Sequence, residues 1–364
     1  MKILAMDIGA GTQDILLYDS ATKLENCAKL VLPSPNRRLA KQVEKAGVAG
    51  KDLFITGYTV GGGPFAKAVR RHLSSGRRAL MTTAAAFSIR NNLVDLANLG
   101  IEIVESPPAD FDGVVIQTDE LDLSPLRNLF ESAGASLDGL AAAAVAVQDH
   151  GTYAGGESNR KTRLRHMRRR LEENPDPLAL AYPAEEIPHT FPRLSSAASR
   201  LREQLSCEHI LVMDTSPAAV AGCLADPHVA SQKSGNLLLI NAGNGHTLAC
   251  LLSDGRVTAL LEHHTRKLRP DAFASYLSSF CEGKARDDDP FMASGHGLFY
   301  LDEPSGTRNL DLVAVTGPNR ELMRESGLEI YYPAPGGDMM MTGPMGLVMA
   351  VLRHMGSEPG SGLE

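Results

Sequence analysis

The feature that most constrains this chain is a glycine-rich turn between two apolar runs, which occurs twice. Residues 3–18 read ILAMDIGAGTQDILLY, an apolar run that is interrupted after Asp7 by Gly9, Ala10, Gly11 and Thr12 and then resumes. This pattern predicts two strands joined by a tight turn. Glycine lets backbone N–H groups close on an anion with no Cβ in the way, Thr12 adds a hydroxyl donor, and Asp7 at the strand end can hold a hydrated Mg²⁺. Residues 236–252 repeat the design, with a strand to Ile240, the turn Asn241-Ala242-Gly243-Asn244-Gly245, and a returning strand from His246. Either stretch alone could be an ordinary exposed hairpin. Their recurrence argues for a duplicated unit with a ligand between the copies.

Length and composition set the outer limits. A chain of 364 residues exceeds the size at which one core stops growing, so two domains are expected. Hydrophobic residues at 43% and charged residues at 22% describe a soluble globular protein. A net charge of −7 argues against nucleic acid as a partner. Neither a signal-peptide core nor a run of about 18 apolar residues appears, so a cytoplasmic protein with no membrane partner is expected. Five cysteines are scattered singly with no Cys-x-x-Cys spacing, which reads as reduced structural thiols rather than a zinc or cluster site.

Strand and helix patterns alternate as far as residue 133, predicting a sheet with helices on its faces. Gly61-Gly62-Gly63-Pro64 reads as a tight strand-to-helix connection, with anion binding at the helix start as the alternative. The apolar run 141–147 ends in Gln148, Asp149 and His150, at the strand end where α/β sheets bind ligands. These three are candidate substrate residues, and an exposed turn is the alternative.

Arg160, Lys161, Arg163, Arg165 and residues 168–170 form a basic run that reads as a solvated helix face, with an anionic ligand or acidic partner as the alternative. Residues 174–192 carry five prolines without periodicity and suggest an irregular, lid-like connection. A strand over 210–213 leads to Asp214 or Thr215 as a helix cap, followed by small residues through Gly222 that allow another helix to pack closely. A strand over 312–315 runs into Thr316-Gly317-Pro318-Asn319-Arg320, residues 339–355 form an apolar helix with Gly343 and Gly346, and the tail 356–364 reads as disordered.

In this order the motifs resemble the superfamily of sugar kinases, heat-shock chaperone ATPases and actin. The resemblance implies an α/β chain of duplicated ribonuclease H-like domains with a cleft between them. The first would span residues 1–225 and the second 226–341, with a helix over 342–355 returning to the first and a tail from 356. It further implies ATP and Mg²⁺ as cofactors. Asp7 would hold the metal through water. Gly9, Ala10, Gly11 and Thr12 would clamp the phosphates from one side, and Asn241, Gly243, Asn244 and Gly245 from the other. Gly317, Pro318 and Asn319 would back the adenosine, and Asp214 would be the catalytic carboxylate alongside Asp7. Two positions depart from the pattern: Asn241 stands where the chaperone ATPases keep Asp, and Pro318 where glycine is usual.

The sequence is also similar to a family labelled as related to the pyruvate formate-lyase activating enzyme. That label implies a Cys-x3-Cys-x2-Cys cluster motif, which the sequence lacks, so radical chemistry is not expected. Three functions stay open: phosphoryl transfer from ATP to a small-molecule hydroxyl, an ATPase switch acting on a protein partner, and a non-catalytic relative. His263 and His264 are adjacent, so on a strand they face opposite ways. His150, His246 and His296 could meet only through the fold, and no transition metal is expected from the sequence.

Overall fold

The structure, a computed structural model, describes residues 1–153 and 159–357. The run at 358–364, most of the tail expected to be disordered, lies outside the described residues, as does the side chain of Arg160.

Three sheets organise the chain. The first is built from β1 (Lys2–Ile8), β2 (Thr12–Asp19) and β3 (Ala28–Pro33), an antiparallel meander. The chain then leaves to form a four-stranded parallel sheet from β4 (Leu53–Gly57), β5 (Ala79–Met81), β6 (Ile101–Ile103) and β7 (Val114–Thr118). It returns with β8 (Ala142–Val147), β9 (Tyr182–Pro183) and β10 (His209–Met213), giving the first sheet the order β3-β2-β1-β8-β10-β9. The third sheet comprises β11 (Asn236–Ala242), β12 (His246–Ser253), β13 (Arg256–His264), β14 (Gly297–Tyr300), β15 (Leu312–Thr316) and β16 (Ile330–Tyr331), in the order β14-β13-β12-β11-β15-β16.

The two six-stranded sheets share one plan: an antiparallel three-strand meander whose first strand then pairs in parallel with a later one. This is the duplicated ribonuclease H-like, actin-type architecture that the sequence motifs imply. The four-stranded sheet is a separate insertion between β3 and β8. Its strands carry the same strand and helix alternation as their surroundings, so sequence pattern alone merged them into one sheet.

The strand periodicity explains the layering. Ile3 and Ala5 of β1 face one core while Leu4, Met6 and Ile8 face another, and Leu237 and Leu239 of β11 oppose Leu238 and Ile240 in the same way. The shared inner core lies between the two six-stranded sheets and is filled by the helices Thr215–Cys223 and Thr342–His354.

These helices cross almost backbone to backbone. A Cβ at Gly222 would lie 2.7 Å from the carbonyl carbon of Thr342, and one at Gly346 would lie 2.9 Å from that of Ala218. Only glycine fits at either place. Among the described residues no helix is long and apolar enough to cross a membrane.

Two sequence readings are corrected here. The proline-rich stretch 174–192 is no lid, because Leu178, Leu180 and Tyr182 are buried in the cores and β9 joins the first sheet. Its proline-fixed turns are clamped by Arg170, which donates to the carbonyls of Ala179 and Ala181 and stacks 4.2 Å over the Tyr182 ring. The basic run is no uniformly solvated face either, since Arg163 is among the largest fully buried side chains.

Candidate functional site

Both glycine turns are closed by the same hydrogen bond. The Gly9 amide donates to the Thr12 carbonyl at 2.9 Å, and the Gly243 amide donates to the His246 carbonyl at 3.0 Å. The turns meet face to face, because a Cβ at Gly11 would run into the Asn244 side chain. Between and around them opens a cavity of about 800 Å³, within the range of small-molecule and cofactor sites.

Most of the expected residues line it: Asp7, Gly9, Ala10, Thr12, Gln148, Asp149, His150, Asn241, Gly243, Asn244, Gly245, Gly317 and Pro318. Thr215 and Ser216 open one helix onto the cavity, and Thr342 and Gly343 open the other. Two helix N-termini therefore face the cavity, an arrangement that favours an anion.

Three expected residues stand behind the wall. Gly11 packs on Asn244. Asn319 donates from its side chain to the Gly243 carbonyl at 3.0 Å and from its amide to the Ala242 carbonyl at 3.0 Å, so it braces the second turn. Asp214, expected to be the catalytic carboxylate, has both oxygens engaged. Its Oδ1 accepts from the Ser216 amide as the helix cap, and its Oδ2 accepts from Arg163 Nη1 at 2.7 Å. Arg163 continues through its other terminal nitrogen to Glu262 on β13, so one buried guanidinium ties the two halves together.

Asp7 and Asp14 stand opposite each other across β1 and β2. Each has a buried Oδ1 with no hydrogen-bond partner. Burial, the neighbouring Asp14 and nearby Asp214 raise the Asp7 pKa well above the ordinary carboxylate range, and burial pushes Asp14 up to about 7. Both carboxyls resist ionisation because water is scarce, and each also feels a nearby negative charge, Asp14 at Asp7 and Asp338 at Asp14. A bound cation would relieve this strain, and an all-oxygen donor pair suits Mg²⁺.

The loop after β8 divides its roles. Asp149 is spent on structure, with Oδ2 accepting from the amides of Arg193 at 2.7 Å and Leu194 at 3.1 Å, and burial lifting its pKa to about 6. Gln148 keeps an unpartnered, buried Nε2 at the cavity. His150 borders the cavity too, and burial followed by the charge of Arg163 lowers its pKa to about 3.

Gly317 sits at φ +95°, where a Cβ would lie 2.7 Å from the Ala242 carbonyl carbon. The Gly317–Pro318 turn can therefore lie flat against β11.

Several wall residues were not singled out from the sequence. Arg37, Lys67, Arg70 and Arg266 add positive charge to the rim, and the Gly61–Pro64 cluster, read mainly as a connection, faces the same space. The only local signal was that glycine cluster ahead of a helix start.

A family model matches residues 60–322 of the chain, that of DUF1786, whose provisional description is pyruvate format-lyase activating enzyme. The chain belongs to this family. No curated protein matches this DUF1786 chain. Among solved structures it is similar to the PilM-PilN type IV pilus biogenesis complex, at 11% identity over 100% of this chain and 99% of that one, with a TM-score of 0.38. It is similar also to a ROK hexokinase from Thermus thermophilus, at 12% identity over 98% and 100%, TM-score 0.32. A third is the Ppx/GppA phosphatase of Aquifex aeolicus, at 8% over 87% and 68%, TM-score 0.27. At such scores the architecture of this DUF1786 member rests on its own duplicated strand order. Its five cysteines are all free, and among the described residues none belongs to a cluster of potential metal ligands.

Proposed function

We propose that this protein binds ATP with Mg²⁺ in the cavity between the two glycine turns and transfers the terminal phosphoryl group to a small-molecule hydroxyl. The observation that carries this reading is the meeting of the turns, Gly11 against Asn244, beside two carboxylates with unpartnered oxygens.

On this reading Asp7 and Asp14 hold Mg²⁺ through water. When bound, that ion neutralises polyphosphate charge. The amides of residues 10–12 and 244–245, together with the two helix starts, orient the phosphates. Fixed donors aimed at the moving charge do most of what phosphoryl transfer requires of a protein. Gly317 and Pro318 back the base, while Gln148 and the basic rim position the acceptor.

A second reading is a hydrolytic switch acting on a protein partner. It is favoured by the pairing of Asp214 with Arg163, which occupies the carboxylate expected to take a proton from a substrate hydroxyl.

Titration calorimetry with ATP, with and without Mg²⁺, tests the site. One binding event is expected, weakened at least ~10-fold by Asp7→Asn or by chelating the metal, equivalent to about 1.4 kcal/mol. Absence of both heat and thermal shift with ATP and Mg²⁺ would overturn both readings. ADP release that no hydroxyl compound accelerates would leave the switch.

A further inference from the structure

Where the two halves meet, the chain carries a cluster that the nucleotide reading does not use. His150 follows β8, His246 opens β12, and His296 leads into β14. Their ring nitrogens nevertheless lie within 4.8 Å of one another. His264, paired with His246 across β12 and β13, adds a fourth ring, with centroids 5.0 Å from His246 and 4.3 Å from His296. His150 and His246 border the cavity, while His296 lies behind them at 5% exposure.

We propose that His150, His246 and His296 form a binding site for a first-row divalent transition metal ion of the Zn²⁺ or Fe²⁺ class, with an open position toward the cavity.

Three observations support the site. First, His246 Nε2 and both ring nitrogens of His296 are buried without a hydrogen-bond partner. Buried polar atoms left unsatisfied are costly, and coordination would satisfy one on each ring. His263, one residue from His264 on the opposite face of β13, shows the ordinary alternative: its nitrogens reach the carbonyls of His264 at 3.1 Å and Phe291 at 3.2 Å. His72 also lacks partners, but among the described residues it is in no such group.

Second, burial and the charge of Arg163 lower the pKa of all three imidazoles, so they stay in the neutral form that ligates metals. Third, Arg163, whose charge all three rings feel, is itself ion-paired with both Asp214 and Glu262, which reduces its opposition to a cation.

A tetrahedral site with metal–nitrogen bonds of about 2.0–2.1 Å places its nitrogens about 3.4 Å apart, so small ring rotations suffice. Three imidazoles leave one position for water or a substrate oxygen. Imidazole favours Zn²⁺ or Fe²⁺, whereas the Asp7 and Asp14 oxygens favour Mg²⁺, so the two sites are chemically distinct.

The test is titration of the metal-free full chain with Co²⁺ in the absence of nucleotide. The expected result is one equivalent giving the visible d–d bands of a nitrogen-rich, four- or five-coordinate site, with a rise in Tm as ligand binding stabilises the fold. His150→Gln and His246→Gln, both checked by circular dichroism, should each weaken Co²⁺ binding at least ~10-fold, while Asp7→Asn should leave it unchanged. No bands, bands indifferent to both histidine substitutions, or bands lost in Asp7→Asn would each overturn the proposal. Because no nucleotide is present, failure here is separable from failure of ATP binding.

Discussion

The two halves are the same hairpin written with different chemistry. Matched through their closing hydrogen bonds, Gly9 corresponds to Gly243 and Thr12 to His246, so Asp7 falls on Asn241 and Asp14 on Leu248. The first half places a pair of carboxylates beside its turn. The second replaces that pair with an amide and a leucine, and puts imidazole where the first has a hydroxyl. At the next strand His264 faces His246, whereas Pro33 faces Thr12. Backbone geometry is thus retained at both turns, while the side chains beside them have diverged. Duplication supplies a symmetric cradle, and on the two proposals made above its asymmetry would supply two kinds of metal chemistry.

The comparison can be broken most severely at the residue that joins the halves. Arg163→Ala would leave Asp214 and Glu262 buried without their counter-charge. A loss of ~3–5 kcal/mol in urea unfolding is expected, the usual cost of breaking a buried pair from one side. If Asp214→Asn and Glu262→Gln are combined with it, most of that loss should disappear.

The acidic half is sharpened by pH. Folded Asp14 holds its proton up to about pH 7, whereas the unfolded chain releases it near pH 4. This group's favourable contribution is therefore complete below about pH 4 and is lost as pH rises toward 7. Asp14→Asn should raise stability by about 1–3 kcal/mol at pH 8 and change little at pH 4, as read by metal-free thermal unfolding across that window. The equivalent position, Leu248, has no titratable group, so Leu248→Ile should shift stability without adding pH dependence.

The smallest effect comes from making the second half resemble the first. Asn241→Asp adds a fourth carboxylate to the cavity wall, beside Asp7, Asp14 and Asp149. It should cost about 1 kcal/mol in the metal-free protein, and less with Mg²⁺ and ATP present, measured as paired Tm shifts.

What the sequence made legible was local. Glycine turns between alternating apolar runs specify hairpins, and small residues at Gly222 and Gly346 announce a close helix crossing. What it hid was long-range. The histidines come from positions 150, 246, 264 and 296 with no common spacing, and only β8, β12, β13 and the approach to β14 bring them together. Arg163 was obscured by its neighbours in a basic run. Leu164, Met167 and Leu171 form a buried stripe beside it, and that helical spacing was the signal that this arginine faces inward. Prolines at 174–192 suggested a mobile flap because they interrupt periodicity, yet fixed φ angles also build tight packed turns.

The crossing at Gly222 and Gly346 has a mechanical meaning. Because backbone meets backbone at these two points, it is the natural fulcrum for any swing of one half against the other. Leverage from that point would carry a slight tilt outward to the far rim near Lys67 and Arg70 as a much larger displacement. Adding a single methyl group at the fulcrum would therefore jam the whole jaw, however intact its teeth.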